Sequence, residues 1–451
     1  MKVDHSIFKA YDIRGIYNDN LFPETAKLIA RAFTKILSPD TIIIGRDGRV
    51  SGPTLHQALV EGFTLSGVNV IDIGMVSTDM YYYACAEKKL PGIMITASHN
   101  PKEYNGFKMV RQIPYLLSGD DGIQEICQAI ESDNLAPIAQ KYGEVTTLNV
   151  MDDYINRILK LVPDTTSLRP MKIVVDTSNG MVGPSFAILA KKLPQLTIVP
   201  MYFEVDGTFP NHAGDPLVAE NRRELEERVI KEKADLGFAF DPDGDRFFCI
   251  DSKGRFVSGD FMTALLSQYF LQKKPGSSIV YDIRASYGVP DTINKLGGKA
   301  LYNKVGHAFI KRRMMDESAI FGGEVSGHYY FADYYYCDSG LAPAMFLLDF
   351  LNNSTDTLDQ LVDALSATYH ISGEINTKGV NSTEVFAKIE EKYGKDSLET
   401  LYIDGISMKF RDWHFNVRSS NTEPLVRLNL EANSEDLMKS KTGEVLSLIR
   451  S

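Results

Sequence analysis

In DLGFAFDPDGDRFFCIDSKG, residues 235–254, an apolar run ends in three aspartates at alternate positions, Asp241, Asp243 and Asp245. Hard divalent cations take oxygen ligands, and three carboxylates in one tight turn suit a Mg²⁺ that keeps further positions for phosphate or water. Arg246, next in the chain, adds a charged partner for phosphate. An EF-hand loop needs Gly at its sixth position and Glu at its twelfth. Counted from Asp241, those places hold Arg246 and Ser252, so calcium binding of that type is excluded. The plain alternative is an acidic turn between two strands, because Asp-Pro-Asp-Gly is good turn chemistry.

A second rival uses the same residues. Phosphatases of the haloacid dehalogenase type carry Asp-x-Asp after a strand, with the first aspartate as nucleophile. A third acidic group, Asp245, suits a metal cage better than a nucleophile with its acid. The stretch TASHNPKEYNGFK, residues 96–108, follows the apolar run GIMI and packs Ser98, His99, Asn100 and Lys108 into one short segment. A serine hydroxyl is a weak nucleophile and needs a base or a metal. Ser98 and His99 fall on opposite sides of an extended chain, so the pair is not by itself a nucleophile–base couple. No Gly-x-Ser-x-Gly surrounds Ser98 either, which weakens an esterase reading. Two readings stay open: a polar loop, or a serine at a strand end that carries phosphate, with about −1.5 to −2 charges and acceptor oxygens for a metal. In the second reading Lys108 serves as general acid/base, and Asn105-Gly106 makes the turn that brings it back.

Three further loops carry polar groups at strand ends. IFGGEVSGHYYF places Glu324, Ser326 and His328 between apolar runs, with glycines that let backbone approach a ligand. A carboxylate and a hydroxyl at alternate positions suit sugar hydroxyls; a Gly-rich hairpin is the competing reading. In VRSSNTEP the donors Arg418, Ser419, Ser420, Asn421 and Thr422 make a natural phosphate cradle. AYDIRG (Arg14), VYDIRAS (Arg284) and KVGHAFIKRR (His307) put cationic or titratable groups at strand ends or helix starts, where a surface charge or a cap is the commoner role.

The elements that must hold these loops are legible. TIIIGRDGRVSG from 41, MKIVVDTSNGMVG from 171 and SSIVYDIRASYGV from 277 each open with an apolar β-rich run, then a polar loop, then a helix-like segment. Such runs alternating with helices indicate parallel strands buried on both faces. The last eighty or so residues differ. Asp404-Gly405 sits between alternating runs as a hairpin signal, and WHFNVR and VRLNLEA alternate at period two. Trp413, Phe415 and Val417 then share one face, with Val426, Leu428 and Leu430 as counterpart. A closing helix follows, with Asn433 and Asp436 as its capping pair.

A chain of 451 residues exceeds one core. Its formal net charge of −11 argues against nonspecific nucleic-acid binding, which needs basic surface. The four cysteines, Cys85, Cys127, Cys249 and Cys337, are widely spaced and read as buried reduced thiols. No apolar run suits a signal peptide or a membrane span, which points to a cytoplasmic protein without membrane partners.

Taken together, TASHNPKEYNGFK, DPDGDR, GEVSGH and RSSNTEP, in that order, resemble the α-D-phosphohexomutase family, in its phosphomannomutase/phosphoglucomutase branch. The resemblance covers the whole chain from FKAYDIRG at 8. It implies three related α/β domains with mixed, mostly parallel sheets (1–150, 151–252 and 253–368) and a C-terminal α+β domain (369–451), around one central cleft. The implied chemistry interconverts hexose 1-phosphate and hexose 6-phosphate, mannose and glucose both, through a phosphoserine and a hexose 1,6-bisphosphate. By this likeness Ser98 carries the phosphate, with Mg²⁺ on Ser98, Asp241, Asp243 and Asp245. Lys108, Arg14, His99 and His307 belong to the catalytic set. Tyr11, Arg246, Arg284, Glu324, Ser326, His328, Arg418, Ser420, Asn421 and Thr422 belong to the substrate-binding set. Glucosamine mutases typically carry Ala where this chain has Gly244, and a Mg²⁺-dependent sugar-phosphate phosphatase is the other alternative. The resemblance implies a phosphorylated hexose as partner, and a monomer is the expected state.

Overall fold

Each of the three apolar openings becomes a central strand flanked on both sides by parallel neighbours. Thr41–Arg46 lies between Asn69–Met75 and Gly92–Ile95. Met171–Asp176 lies between Leu196–Met201 and Leu236–Phe240. Ser278–Asp282 lies between Lys299–Asn303 and Phe321–Gly323. Ile42, Ile43, Ile44, Ile173, Val174, Val175, Ile279 and Val280 are fully buried, as covering helices on parallel sheets require. The common order is the relationship that weak sequence identity between the openings leaves open.

The computed structural model describes residues 3–119, 121–419 and 425–451. It divides into one unit of Met1–Phe256 with Ser326–Ser354 and another of Val257–Val325 with Thr355–Ser451. In the first unit the third strand of each trio is followed by an antiparallel return: Gly92–Ile95 by Tyr104–Gln112, and Leu236–Phe240 by Phe247–Asp251. The serine loop and the aspartate loop are therefore the same connection in two copies of one topology. Both leave the carboxyl end of a parallel strand, where open α/β sheets place their ligands. The loop beginning at Glu324 follows the equivalent strand, Phe321–Gly323, of the third copy.

Asn105-Gly106 does not make a turn. Both residues lie inside the Tyr104–Gln112 strand, opposite Gly15 and Arg14 of Ile13–Ile16. Gly106 is there for close approach, since a Cβ would sit 2.1 Å from the Ile13 carbonyl oxygen. The Asn105 amide donates instead to Ser51 Oγ at 2.8 Å. Lys108 thus reaches the site because alternate residues of a strand face the same way.

The C-terminal sheet of the second unit is antiparallel. Trp413–Ser419 pairs with Leu425–Ala432 in the register Phe415↔Leu430, Val417↔Leu428. Phe415, Val417, Val426, Leu428 and Leu430 pack with Val385, Ile389, Val445 and Ile449 of two covering helices. The Asp404-Gly405 hairpin joins Glu399–Leu401 to Ile406–Lys409 through a longer connection than two residues, with Leu401 opposite Ser407. Its last helix is capped by Ser434, whose hydroxyl accepts from the Leu437 amide, and not by Asn433 with Asp436. Serine directly before the first helical turn is the better placed acceptor. All four cysteines are free and buried. Among the described residues, no helix is long and apolar enough to cross a membrane.

Candidate active site

Ser98 is buried and adopts φ +50, so the chain kinks at the serine rather than running extended. The kink overturns the alternation argument: His99 Nδ1 lies 3.2 Å from Ser98 Oγ. Burial, then the guanidinium groups of Arg246 and Arg14, hold the His99 imidazole well below its ordinary pKa, so it is neutral at pH 7. The Ser98 hydroxyl donates to Asp241 Oδ2 at 2.8 Å, which joins the two loops in space. Arg14 donates to Asn100 and Asp12, and its Nε is buried without a hydrogen-bond partner. Tyr11 lies half-buried in the bend before that strand.

Asp241, Asp243 and Asp245 are fully buried, with carboxylate oxygens within 4.8 Å of one another. The cluster is not a solvated acidic turn, so it needs cationic compensation. Lys108 supplies part of it: its ammonium donates to Asp243 Oδ2 at 2.8 Å and also to Asp245 Oδ2. Burial alone would lower the Lys108 pKa, but Asp243 and Asp245 carry it above its ordinary value. Burial opposes ionisation of Asp243 and Asp245 as well, and Lys108 outweighs it, leaving both below the usual carboxylate range. Asp241 is raised instead, by burial and then by the two neighbouring carboxylates.

The donor set fits a hard divalent cation. Asp243 Oδ1 and Asp245 Oδ1 are buried oxygens without a hydrogen-bond partner, and Asp241 Oδ2 faces the serine hydroxyl. Arg246 closes the loop, its amide donating to Asp241 Oδ1 at 3.1 Å and its Nε standing 3.7 Å from Asp241 Oδ2. Arg246 bridges to His328 through the backbone, and His328 Nε2 approaches Asp245 Oδ1 at 3.5 Å. Ser326 Oγ is 3.0 Å from His328 Nδ1. The first unit therefore gathers Arg14, Ser98, His99, Lys108, the three aspartates, Arg246, Ser326 and His328.

In the second unit, Glu324 is buried and its Oε2 accepts from the Gly306 amide at 3.1 Å, beside the helix that starts at His307. Arg284 pairs with Asp282 and donates from NH1 to Glu374 Oε2 at 2.9 Å. Arg427 donates to Glu374 Oε1 at 2.7 Å, and Arg418 NH2 stands 3.6 Å from Glu374 Oε2. Three arginines thus converge on one carboxylate. Burial works against the Glu374 charge, but Arg284, Arg427 and Arg418 pull its pKa below the ordinary value. Ser420, Asn421 and Thr422 lie outside the described residues.

Glu374, Arg427 and Arg49 are absent from the sequence reading. Arg49 is fully buried, and its guanidinium donates to the carbonyls of Ser98, Asn100, Pro101 and Tyr104 at 2.6–2.9 Å, fixing the serine loop. Its signal is the Gly-Arg-Asp-Gly-Arg at the end of the first buried strand, a position equivalent to the other strand-end loops.

Comparisons agree with this arrangement along the chain. Residues 5–136, 152–254 and 258–369 match the phosphoglucomutase/phosphomannomutase alpha/beta/alpha domains I, II and III, and 374–446 match the C-terminal domain. The chain is 39% identical over 449 residues to a phosphomannomutase of Escherichia coli K12, covering 98% of each. It is 39% identical over 448 residues to a protein named phosphohexose mutases from Xanthomonas campestris pv. campestris, covering 98% of this chain and 99% of that one. A crystal structure of a phosphoglucomutase/phosphomannomutase family protein from Burkholderia thailandensis superposes with a TM-score of 0.90 at 33% identity, covering 99% of this chain.

Proposed function

The chain belongs to the phosphoglucomutase/phosphomannomutase family and is a phosphohexomutase, and from that premise we propose that it interconverts the 1- and 6-phosphates of mannose and glucose through a phosphorylated Ser98. The observation that carries this reading is the 2.8 Å contact between Ser98 Oγ and Asp241 in a buried carboxylate cage where Asp243 Oδ1 has no hydrogen-bond partner. An ordinary hydroxylated turn has no use for that setting. Asp241, Asp243, Asp245 and the serine oxygen would hold a Mg²⁺, which would supply neutralisation of charge on the transferring phosphoryl group.

In the forward step the Ser98 Oγ–P bond breaks, a bond forms from phosphorus to a sugar hydroxyl, and the hydroxyl proton passes to Lys108. Transfer from the other end of the resulting hexose 1,6-bisphosphate rebuilds the phosphoserine, and Lys108 returns the proton to the departing sugar oxygen. To accept that proton Lys108 must first release one of its own to solvent, which its pairing with Asp243 and Asp245 opposes, because an ammonium has no lone pair. Arg14, His99 and Arg246 stand around the serine loop to meet the phosphoryl oxygens. Tyr11, Arg284, His307, Glu324, Ser326 and His328 are assigned to the sugar. Arg418, Ser420, Asn421 and Thr422 are assigned to the phosphate not being transferred.

Gly244 supports this branch over a glucosamine mutase. It holds φ +75, and a Cβ there would lie 2.7 Å from Val182 Cγ2, so this loop has no room for alanine. The buried free thiols are consistent with a reducing, cytoplasmic setting. The test is ³¹P NMR of mannose 1-phosphate and glucose 1-phosphate, separately, with Mg²⁺ and a trace of glucose 1,6-bisphosphate. Both 6-phosphates are expected without inorganic phosphate. Inorganic phosphate as the main product would make the enzyme a phosphatase.

A further inference from the structure

The aspartate loop is gripped from two sides by residues outside the set that the sequence assigns to substrate and metal. On one side is the start of the Thr78–Lys88 helix, where the Thr78 amide donates to the Asp243 carbonyl at 2.8 Å. The Thr78 hydroxyl donates to Asp243 Oδ2 at 2.7 Å. On the other side the Gly340 amide donates to the Gly244 carbonyl at 3.1 Å.

Asp79 ties the two grips together. Its Oδ1 accepts from the Met80 amide at 2.8 Å and from the Ser77 hydroxyl. Its Oδ2 accepts from Tyr154 at 2.6 Å and from Ser339 at 2.7 Å. Ser339 precedes Gly340, so one buried carboxylate links the residue before one grip to the residue after the other. Tyr334 adds a hydrogen bond to the Asp79 carbonyl at 2.8 Å. Thr78, Asp79, Tyr154, Tyr334 and Ser339 are all fully buried, so none of these bonds competes with water.

We propose that Thr78, locked in place by Asp79, is a positioning residue that sets the Asp243 carboxylate so that Oδ1 is the oxygen presented to the cation. The division of labour on Asp243 carries the inference. Oδ2 takes the Thr78 hydroxyl and the Lys108 ammonium, while Oδ1 is buried with no hydrogen-bond partner. While Lys108 moves a proton, Thr78 still holds Oδ2, and the carboxylate does not rotate. Partners that orient a metal-binding carboxylate in this way are typically worth about 10–100-fold in metal affinity. Gly244 belongs to the same device, because a Cβ there would also press to 3.1 Å from Ser77 Cβ, at the head of the same helix.

The inference rests on the metal reading of the three aspartates, and the experiment separates the two. Mn²⁺ binding is measured by electron paramagnetic resonance for the wild type, Asp241→Asn, Thr78→Val and Thr78→Ser. Thr78→Val is expected to weaken Mn²⁺ about tenfold and to broaden the bound-ion spectrum, while Thr78→Ser, which keeps the hydroxyl, stays within about twofold of wild type. Wild-type affinity and spectrum in Thr78→Val would overturn the positioning role while leaving the metal site standing. A wild type that binds no Mn²⁺, or one indifferent to Asp241→Asn, would remove the metal reading and this inference with it. Should Thr78→Val not fold, Thr78→Ala removes the same hydroxyl without adding bulk and is read against the same thresholds.

Discussion

Two buried clusters of opposite sign solve the same electrostatic problem with exchanged roles. In the first unit Asp243 and Asp245 close on the ammonium of Lys108, with Asp241 beside them facing Arg246. In the second, the guanidinium groups of Arg284, Arg418 and Arg427 close on the carboxylate of Glu374, and Arg284 also pairs with Asp282. Each cluster keeps a surplus of its own sign, which its built-in counterions do not cancel. An acidic surplus suits a cation and a guanidinium surplus an anion such as phosphate, which is the use the proposed function makes of each. The clusters differ in how fully they are sealed. The side chains of Lys108 and Asp243 are 5% and 0% exposed, whereas those of Glu374 and Arg427 are 16% and 21% exposed. Water relieves the second cluster more than the first, and the consequences of breaking them are ranked accordingly.

The largest effect belongs to the serine that sits on the acidic cluster. Ser98→Ala removes the proposed phosphate carrier but no buried charge, so turnover should fall by more than about a thousandfold while hexose phosphate still binds. Rates from the NMR assay and affinity from calorimetry check the two halves separately. Near wild-type turnover would remove the phosphoserine from the mechanism.

Next comes the counterion of the sealed cluster. Lys108→Met leaves Asp243 and Asp245 buried and uncompensated, which should destabilise the metal-free protein by about 3–5 kcal/mol. Thermal unfolding in EDTA reads the loss. Added Mg²⁺ should raise the melting temperature of the variant by more than it raises that of the wild type, because only the variant lacks the ammonium that compensates Asp243 and Asp245. An unchanged melting temperature in EDTA would show that Lys108 does not compensate the cluster.

Glu374→Gln performs the mirror experiment. Burial and Arg284 already pull the Arg418 pKa down, so the arginines resist losing the carboxylate that all three share. The greater exposure of this cluster sets the expected loss lower, at about 2–3 kcal/mol. Inorganic phosphate should restore stability to the variant by standing where the carboxylate stood. If phosphate stabilises wild type and variant equally, Glu374 does not stand in for an anion.

The first cluster was far more legible in the sequence than the second, and the reason is chain distance. Asp241, Asp243 and Asp245 fall within five residues, and Ser98 and Lys108 within eleven, so residue types and spacing alone suggested a metal and a carrier. The three strand openings were equally plain, since a parallel strand buried on both faces leaves a continuous apolar run. Glu374 lies in ISGEINTKG, a stretch without motif, and meets Arg284 across 90 residues. Arg49 and Thr78 likewise act on loops 49 and 165 residues away, where no local pattern reports them. Local rules also misled where tertiary packing overrode them. Asn105-Gly106 has turn chemistry, yet the Ile13 carbonyl claims the space above Gly106 for strand pairing.

A third buried carboxylate shows what happens without a counterion. Glu431 lies opposite His414 in the C-terminal sheet, with His414 Nδ1 at 3.7 Å and the Tyr287 amide at 3.2 Å from its Oε1, while its Oε2 is buried without a hydrogen-bond partner. Burial, then Lys409, pulls the His414 imidazole down to about 3, so it brings no positive charge. Burial pushes the Glu431 carboxyl up to about 8, the opposite direction from Glu374 among its arginines. The sign follows from proton binding: between the unfolded value of 4.5 and about 8 the folded state holds a proton that the unfolded state has released. Glu431 therefore contributes stability that is full below the unfolded value and is lost as pH rises through the folded one. Between pH 6 and 8 the loss should be on the order of 1–2 kcal/mol, and Glu431→Gln, neutral throughout, should flatten that part of the profile. Urea denaturation of both proteins across this range decides it. Parallel profiles would mean that Glu431 is charged in the folded protein, and the contrast between a carboxylate with and without arginines would have to be drawn from Glu374 alone.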